Sequence, residues 1–203
     1  MPPSKLLHKA PAAGLLLAAF CLSACVQNTA ARPANSSGTQ PEAAAAAAAG
    51  AATGTAVPAA AMLKAHNQWR AKVGSPALQW SEKLTRMAQE WADKLAASGC
   101  SQHHRGNMQY GENIYFASPL LWPNGRTEAQ PVTPQYVADD WGKEEKNYDH
   151  ASNSCSGICG HYTQLVWKDS KEVGCGMAFC ANKAQVWVCN YHPAGNVMGE
   201  RPY

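Results

Sequence analysis

Apolar residues recur at three- and four-residue steps from Leu84 through Met87, Ala88, Trp91 and Ala92 to Leu95, so they share one helical face. Ser81 stands where an N-cap belongs and Gly99 where the helix should stop, and the pattern predicts a helix over 81–99. A shorter helix is expected over about 61–73, ahead of Gly74, Ser75 and Pro76. Thr133 followed by Pro134 marks a third helix start, with Val137, Trp141 and Tyr148 along one face. The period then changes. Ile114, Tyr115 and Phe116 follow Gly111, Glu112 and Asn113 and read as a strand, and 172–180 and 185–191 read as a strand pair turning at Asn182 and Lys183. In the first of that pair Val173, Cys175, Met177 and Phe179 point one way, and Gly174, Gly176 and Ala178 the other. In the second, Val186 and Val188 oppose Trp187. Both faces of such a sheet are apolar and must be covered. The expected fold class is α/β, an αβα sandwich with a small antiparallel or mixed sheet between helices.

The first third of the chain follows another pattern. Lys5, His8 and Lys9 precede a short, largely apolar stretch, 10–22, that ends in "LSAC" at 22–25. A basic start and a short apolar run read as a secretory signal over 1–24, too short to be a membrane span. "LSAC" resembles the lipobox of bacterial lipoproteins, in which the cysteine, here Cys25, carries the lipid; an ordinary signal peptide cut near small residues is the alternative. By the same resemblance, Val26 in place of Asp favours the outer membrane, so the expected location is the cell surface or the extracellular space. Residues 25–61 are mostly Ala, Pro, Thr, Gly and Ser, with seven consecutive alanines from Ala43. They hold too little apolar surface to offset the entropy of ordering, and read as a flexible tether. One domain of ordinary size remains, 62–203.

That domain carries fourteen Lys and Arg against thirteen Asp and Glu, so charge provides no footprint for nucleic acid. Six of the chain's eight cysteines lie in it: Cys100, Cys155, Cys159, Cys175, Cys180 and Cys189. Export favours three disulfides over a zinc site built on Cys155, Cys159 and His161. A hairpin turning near Asn182 sets Cys175 opposite Cys189. Cys155 and Cys159 can close a small loop, which leaves Cys100 for Cys180.

Four motifs in order, "HNQWR" (66–70), "GEN" (111–113), "GHYTQLVW" (160–167) and "CNYHPAGN" (189–196), together with the six cysteines, resemble the CAP superfamily of cysteine-rich secretory proteins, antigen 5 and plant pathogenesis-related proteins of group 1. Trp187, just before "VCNY", departs from the smaller apolar or ring residue usual there. The resemblance implies an αβα sandwich and a central cleft with two histidines and two glutamates, matched here to His66, Glu112, Glu144 and His161. Some members hold zinc or another divalent ion through the two histidines, so His66 and His161 are the expected metal ligands, with Glu112 and Glu144 as cleft carboxylates. His103 and His104 lie in a polar loop and are expected at the surface. The resemblance further implies binding of a lipid or other extracellular ligand without catalysis; a metal-assisted hydrolase using the same cleft is the alternative. No Gly-x-Ser-x-Gly and no His-Glu-x-x-His occurs. "SPLLWP" (118–123) is an apolar loop, and "PAGNVMGERPY" (193–203) resembles a peptide that plant members release.

Overall fold

A computed structural model of the chain describes residues 56–106 and 109–203. The expected signal peptide, the acylated Cys25 and the tether up to residue 55 lie outside the described residues. The elements run α1 (Ala59–Lys72), β1 (Gln79–Trp80), α2 (Glu82–Ala97), β2 (Gly111–Ala117), β3 (Leu120–Leu121), β4 (Thr127–Glu128), α3 (Pro134–Gly142), β5 (Tyr148–Asp149), β6 (Ser154–Cys155), α4 (Gly160–Leu165), β7 (Glu172–Phe179) and β8 (Gln185–His192). Among the described residues no helix is long and apolar enough to cross a membrane.

Four strands form the central mixed sheet in the order β1-β7-β8-β2, with β1 parallel to β7 and the remaining pairs antiparallel. β7 and β8 are the strand pair read from alternation, and Cys175 stands directly opposite Cys189. One sheet face carries Val173, Cys175, Met177, Trp187, Cys189 and Tyr191 against α1, α3 and α4. The other carries Ala178, Val186 and Val188 against α2. The fold is the αβα sandwich, with disulfides joining Cys100 to Cys180, Cys155 to Cys159 and Cys175 to Cys189.

The small residues of β7 set the distance between α2 and the sheet. A Cβ on Gly174 would stand 2.2 Å from the Thr85 backbone nitrogen, and one on Gly176 2.4 Å from Gln89 Cα. Backbone cannot yield as a side-chain tip can. Gly176→Ala is therefore expected to lower stability by about 1–3 kcal/mol, the usual cost of overpacking. Chemical denaturation measures this; an unchanged midpoint would show that α2 is free to shift.

Three elements differ from the expectation. Helix α1 begins at Ala59, three residues before the expected domain boundary, because alanines that lack an amphipathic stripe still favour the helix. The third helix ends as an α-helix at Gly142 and tightens into a 3-10 turn over Lys143–Asn147, so Tyr148 enters a strand instead of extending the helical face. "SPLLWP" contributes β3, one arm of a short hairpin with β4.

Candidate functional site

The histidine of "GHYTQLVW" stands in the first turn of α4, a helix of only six residues. Glu144, on the 3-10 turn after α3, fixes it. One carboxylate oxygen accepts from His161 Nδ1 at 2.7 Å. The other accepts the backbone N–H groups of His161 and Tyr162 at 3.0 and 3.3 Å. Glu144 thus caps the otherwise unpartnered N–H groups of the helix start and orients the imidazole on it. Trp141 lies nearly parallel to the His161 ring, 20° between planes.

A second pair faces the same space. Glu112 at the start of β2 is buried, and its Oε1 accepts from His104 Nδ1 at 2.9 Å and from the Arg105 backbone at 3.1 Å. Its Oε2 takes the Asn190 amide at 3.3 Å. The hydrogen bond to Glu112 raises the His104 pKa above the ordinary imidazole value, against the opposing effect of partial burial. His104, Glu112 and His161 line one cavity of about 450 Å³, together with Tyr110, Gln164 and Asn196 among others.

His66 is not in that cavity, which corrects the expected metal pair. It is fully buried on α1. Its Nδ1 donates to the Met62 carbonyl at 2.8 Å, so Nε2 is left to accept from the Tyr191 hydroxyl at 2.9 Å. Both ring nitrogens are used inside the protein. Burial is the main cause that lowers its pKa to about 4, aided by the nearby Arg70 charge and opposed by the Met62 bond. His66, Cys175 and Cys189 bring their nitrogen and sulfur atoms within 4.8 Å of one another. The sulfurs are joined in a disulfide, however, and a metal needs thiolates, so this cluster is structural.

The residue that sequence reasoning missed is His104. It follows Cys100 by four residues and precedes Glu112 by eight, in a loop with no periodic signal. The available clue was the disulfide: joining Cys100 to Cys180 ties that loop to the sheet on which Glu112 sits. His103, by contrast, is exposed and packs edge-on against Trp91.

The donor set suits a divalent cation such as zinc. In each histidine–glutamate pair the carboxylate engages Nδ1, which fixes the tautomer with its lone pair on Nε2. Among the described residues no protein group hydrogen-bonds Nε2 of His104 or His161. A metal held through these two Nε2 atoms would keep positions for water or ligand, as an open site does and a closed structural one does not.

The tail after β8 is bound to the domain. Thr163 donates to Asn196 at 2.6 Å, and the Arg201 side chain donates to the carbonyls of His150 and Ala151 at 3.1 and 2.9 Å. Tyr203 stacks on His150 with ring centroids 4.7 Å apart.

Comparison with known proteins agrees with this architecture. The profile of CAP, the cysteine-rich secretory protein family, matches residues 63–191. Pathogenesis-related protein 1 of Arabidopsis thaliana is 38% identical over 141 residues, covering 70% of this chain and 80% of the plant protein. GLIPR1-like protein 1 of Homo sapiens is 36% identical over 149 residues, again 70% of this chain, which spans 60% of the human protein. Among solved structures, Schistosoma mansoni venom allergen-like protein 4 is 28% identical with a TM-score of 0.53, covering 71% of this chain and 92% of that one. NaASP2, solved with Zn2+, shares the fold at 20% identity and a TM-score of 0.54, over 75% of this chain and 88% of its own.

Proposed function

The chain belongs to the CAP family of cysteine-rich secretory proteins, and from that premise we propose that it is an exported binding protein, held at the cell surface through an acylated Cys25. Its cleft presents His104 and His161 to a divalent cation, with zinc as the reference ion, and to an extracellular ligand that approaches the same cavity. The observation that carries this reading is the pair of histidine–glutamate couples, His104–Glu112 and His161–Glu144, on one cavity. NaASP2, a protein of the same fold, was solved with Zn2+, which supports the choice of ion.

Binding is favoured over hydrolysis by the state of the carboxylates. A hydrolytic base must be free to take a proton from water. Glu112 accepts three hydrogen bonds and Glu144 three, and each holds a histidine in place. All six domain cysteines are paired, so no thiol is left as a nucleophile.

Zinc titration calorimetry at neutral pH tests the site. His104→Ala and His161→Ala are each expected to weaken zinc binding roughly hundredfold, and Glu112→Gln roughly ten- to hundredfold through loss of ring orientation. His103→Ala should bind as the parent does. Affinity should fall as pH drops through the imidazole range, because protons and metal compete for the same nitrogens. Zinc affinity equal in the parent and both cavity-histidine variants would refute the shared site.

A further inference from the structure

The histidine cavity lies at the Gly111 end of β2, and the opposite end of that strand, about 20 Å away, carries a different surface. There Leu121 is 77% exposed, Trp122 44%, Phe179 41% and Leu120 38%. These residues lie together at that end of the sheet. Ala117, the last residue of β2, pairs with Gln185, which pairs in turn with Phe179. Gln185 Nε2 donates to the Gln130 carbonyl, and Gln130 Nε2 to the Ser118 carbonyl, each at 2.7 Å. From Ser118 the chain rises into the β3–β4 hairpin, where Leu120 stands opposite Glu128. Beside the hairpin base runs an apolar groove of about 370 Å³, lined by Pro58, Pro131, Val132, Met177, Phe179 and Trp187.

The hairpin is organised in advance. Trp122 Nε1 donates to Glu128 Oε2 at 3.1 Å, Arg126 lies over the Trp122 ring at 5.4 Å, and Arg126 pairs with Glu128 at 3.1 Å. The polar tip of the indole is thereby satisfied, while the ring edge and Leu121 remain turned to solvent. Trp122 with Arg126 on its ring, beside the exposed Leu121, matches the boundary between headgroups and acyl chains.

We propose that this face, the β3–β4 hairpin with Phe179 and the groove rim, docks on a lipid bilayer. The choice of occupant rests on the acylated Cys25 of the preceding reading. The chain that leads from Cys25 joins the domain at Pro58, which lines this groove, so the anchor enters the domain at the end that carries the exposed apolar residues. Arg126 is balanced by its Glu128 partner, so the exposed Lys183 of the β7–β8 turn supplies the positive charge toward anionic headgroups. Docked in this way, the domain keeps its histidine cavity at the far end, facing away from the membrane.

Co-sedimentation with phosphatidylcholine–phosphatidylglycerol vesicles tests the surface on the chain from residue 26 onward, which carries neither the apolar leader nor an acyl group. This chain should partition onto the vesicles. Adding Leu121→Asp and Trp122→Ala should weaken partitioning roughly tenfold or more, since two apolar side chains lose their burial. Thermal stability and zinc affinity should stay those of the parent, because both side chains are exposed; Leu121→Trp should partition more tightly. Equal partitioning with and without the hairpin substitutions overturns the proposal. So does a chain from residue 26 that stays in solution, or one that forms a dimer dispersed by Leu121→Asp and ignores vesicles, which would make the face a contact between copies. Mass spectrometry of the parent reads the anchor separately: an unmodified Cys25 refutes acylation and leaves the vesicle result standing by itself.

Discussion

Replacing Arg70 by methionine is expected to bring the domain close to unfolding. Arg70 is fully buried on α1 and has no carboxylate partner among the described residues; it bonds carbonyls instead. Nε donates to Pro76 at 2.7 Å, Nη1 to Leu165 and Trp167 at 3.1 and 2.8 Å, and Nη2 to Ser170 at 3.0 Å. One side chain therefore ties together the turn after α1, the end of α4 and the approach to β7. Burial lowers its pKa to about 10, so the guanidinium stays charged at neutral pH. Methionine keeps most of the volume but none of the donors. The buried carbonyls of Leu165 and Ser170 then lose this partner, whereas Trp167 keeps the Ser170 N–H and Pro76 lies at the surface; each buried unpaired group costs about 1–3 kcal/mol. The sum, about 2–6 kcal/mol, is a large part of the 5–15 kcal/mol that stabilises an ordinary domain. For a domain of this size the melting temperature should fall by about 15 °C. Arg70→Lys should rescue little, since one ammonium cannot reach three segments. A methionine variant that melts within about 3 °C of the parent would show that water or relaxation replaces the guanidinium.

Arg70 also shows where the sequence stops being legible. Helix α2 and strands β7 and β8 are readable because each presents one apolar face, and periodicity reports faces. Helix α4 is not readable in this way. Tyr162, Thr163, Gln164 and Leu165 are all buried, so it has no polar side to create a period, and it is too short to show one. Strand β1 has two residues and pairs in parallel with a strand more than ninety positions later; no local pattern encodes that. The turn from α3 into the 3-10 segment is of the same kind. Helical projection selects Glu144 over Glu145, yet Glu144 reaches His161 from a 3-10 turn, by tertiary placement of the turn beside α4.

At the site, Glu112, Glu144 and His161 are legible through family motifs, and His104 is not. A motif records that a residue belongs in a place, without saying whether it faces a cavity or the core. In "HNQWR", His66, Trp69 and Arg70 are all buried, so this stretch of α1 holds the core together. His104 lies in a loop whose position depends on long-range contacts. Cys100 is tied to Cys180, and the Arg105 guanidinium bonds the Met87 carbonyl and stacks at 5.2 Å from the Trp91 ring. Each of those partners comes from another element, and only the folded chain brings them together.

The misplaced histidine has a consequence of its own: stability should fall between pH 6.5 and about 4. The folded chain holds His66 neutral, with a pKa lowered to about 4 from 6.5. Its Nδ1–H already donates to Met62, and Tyr191 donates to Nε2 while accepting from Asn113 at 3.3 Å. A second ring proton would displace the tyrosine proton, in a fully buried site that disfavours the charged form. Below pH 6.5 the unfolded chain therefore takes up a proton that the folded chain refuses. The contribution is fully present above 6.5, is lost at about 1.4 kcal/mol per pH unit as pH falls, and ceases to change below the folded pKa. The total loss is about 3 kcal/mol. His104 acts in the opposite sense, since its raised pKa favours the fold at low pH and that contribution is lost only as pH rises through it. Of the two shifted histidines only His66 produces the descent; Glu90 and Asp149, whose pKa values are lowered by their hydrogen bonds, add to it only as pH nears the carboxylate range. Urea denaturation at a series of pH values should show this slope in the parent, and His66→Gln, which does not titrate, should flatten it. Should that variant be too unstable to compare, the His66 ring resonances of the parent decide the point by NMR. They should hold their neutral shifts through the range in which an exposed imidazole titrates, and titration near 6.5 would sink the argument.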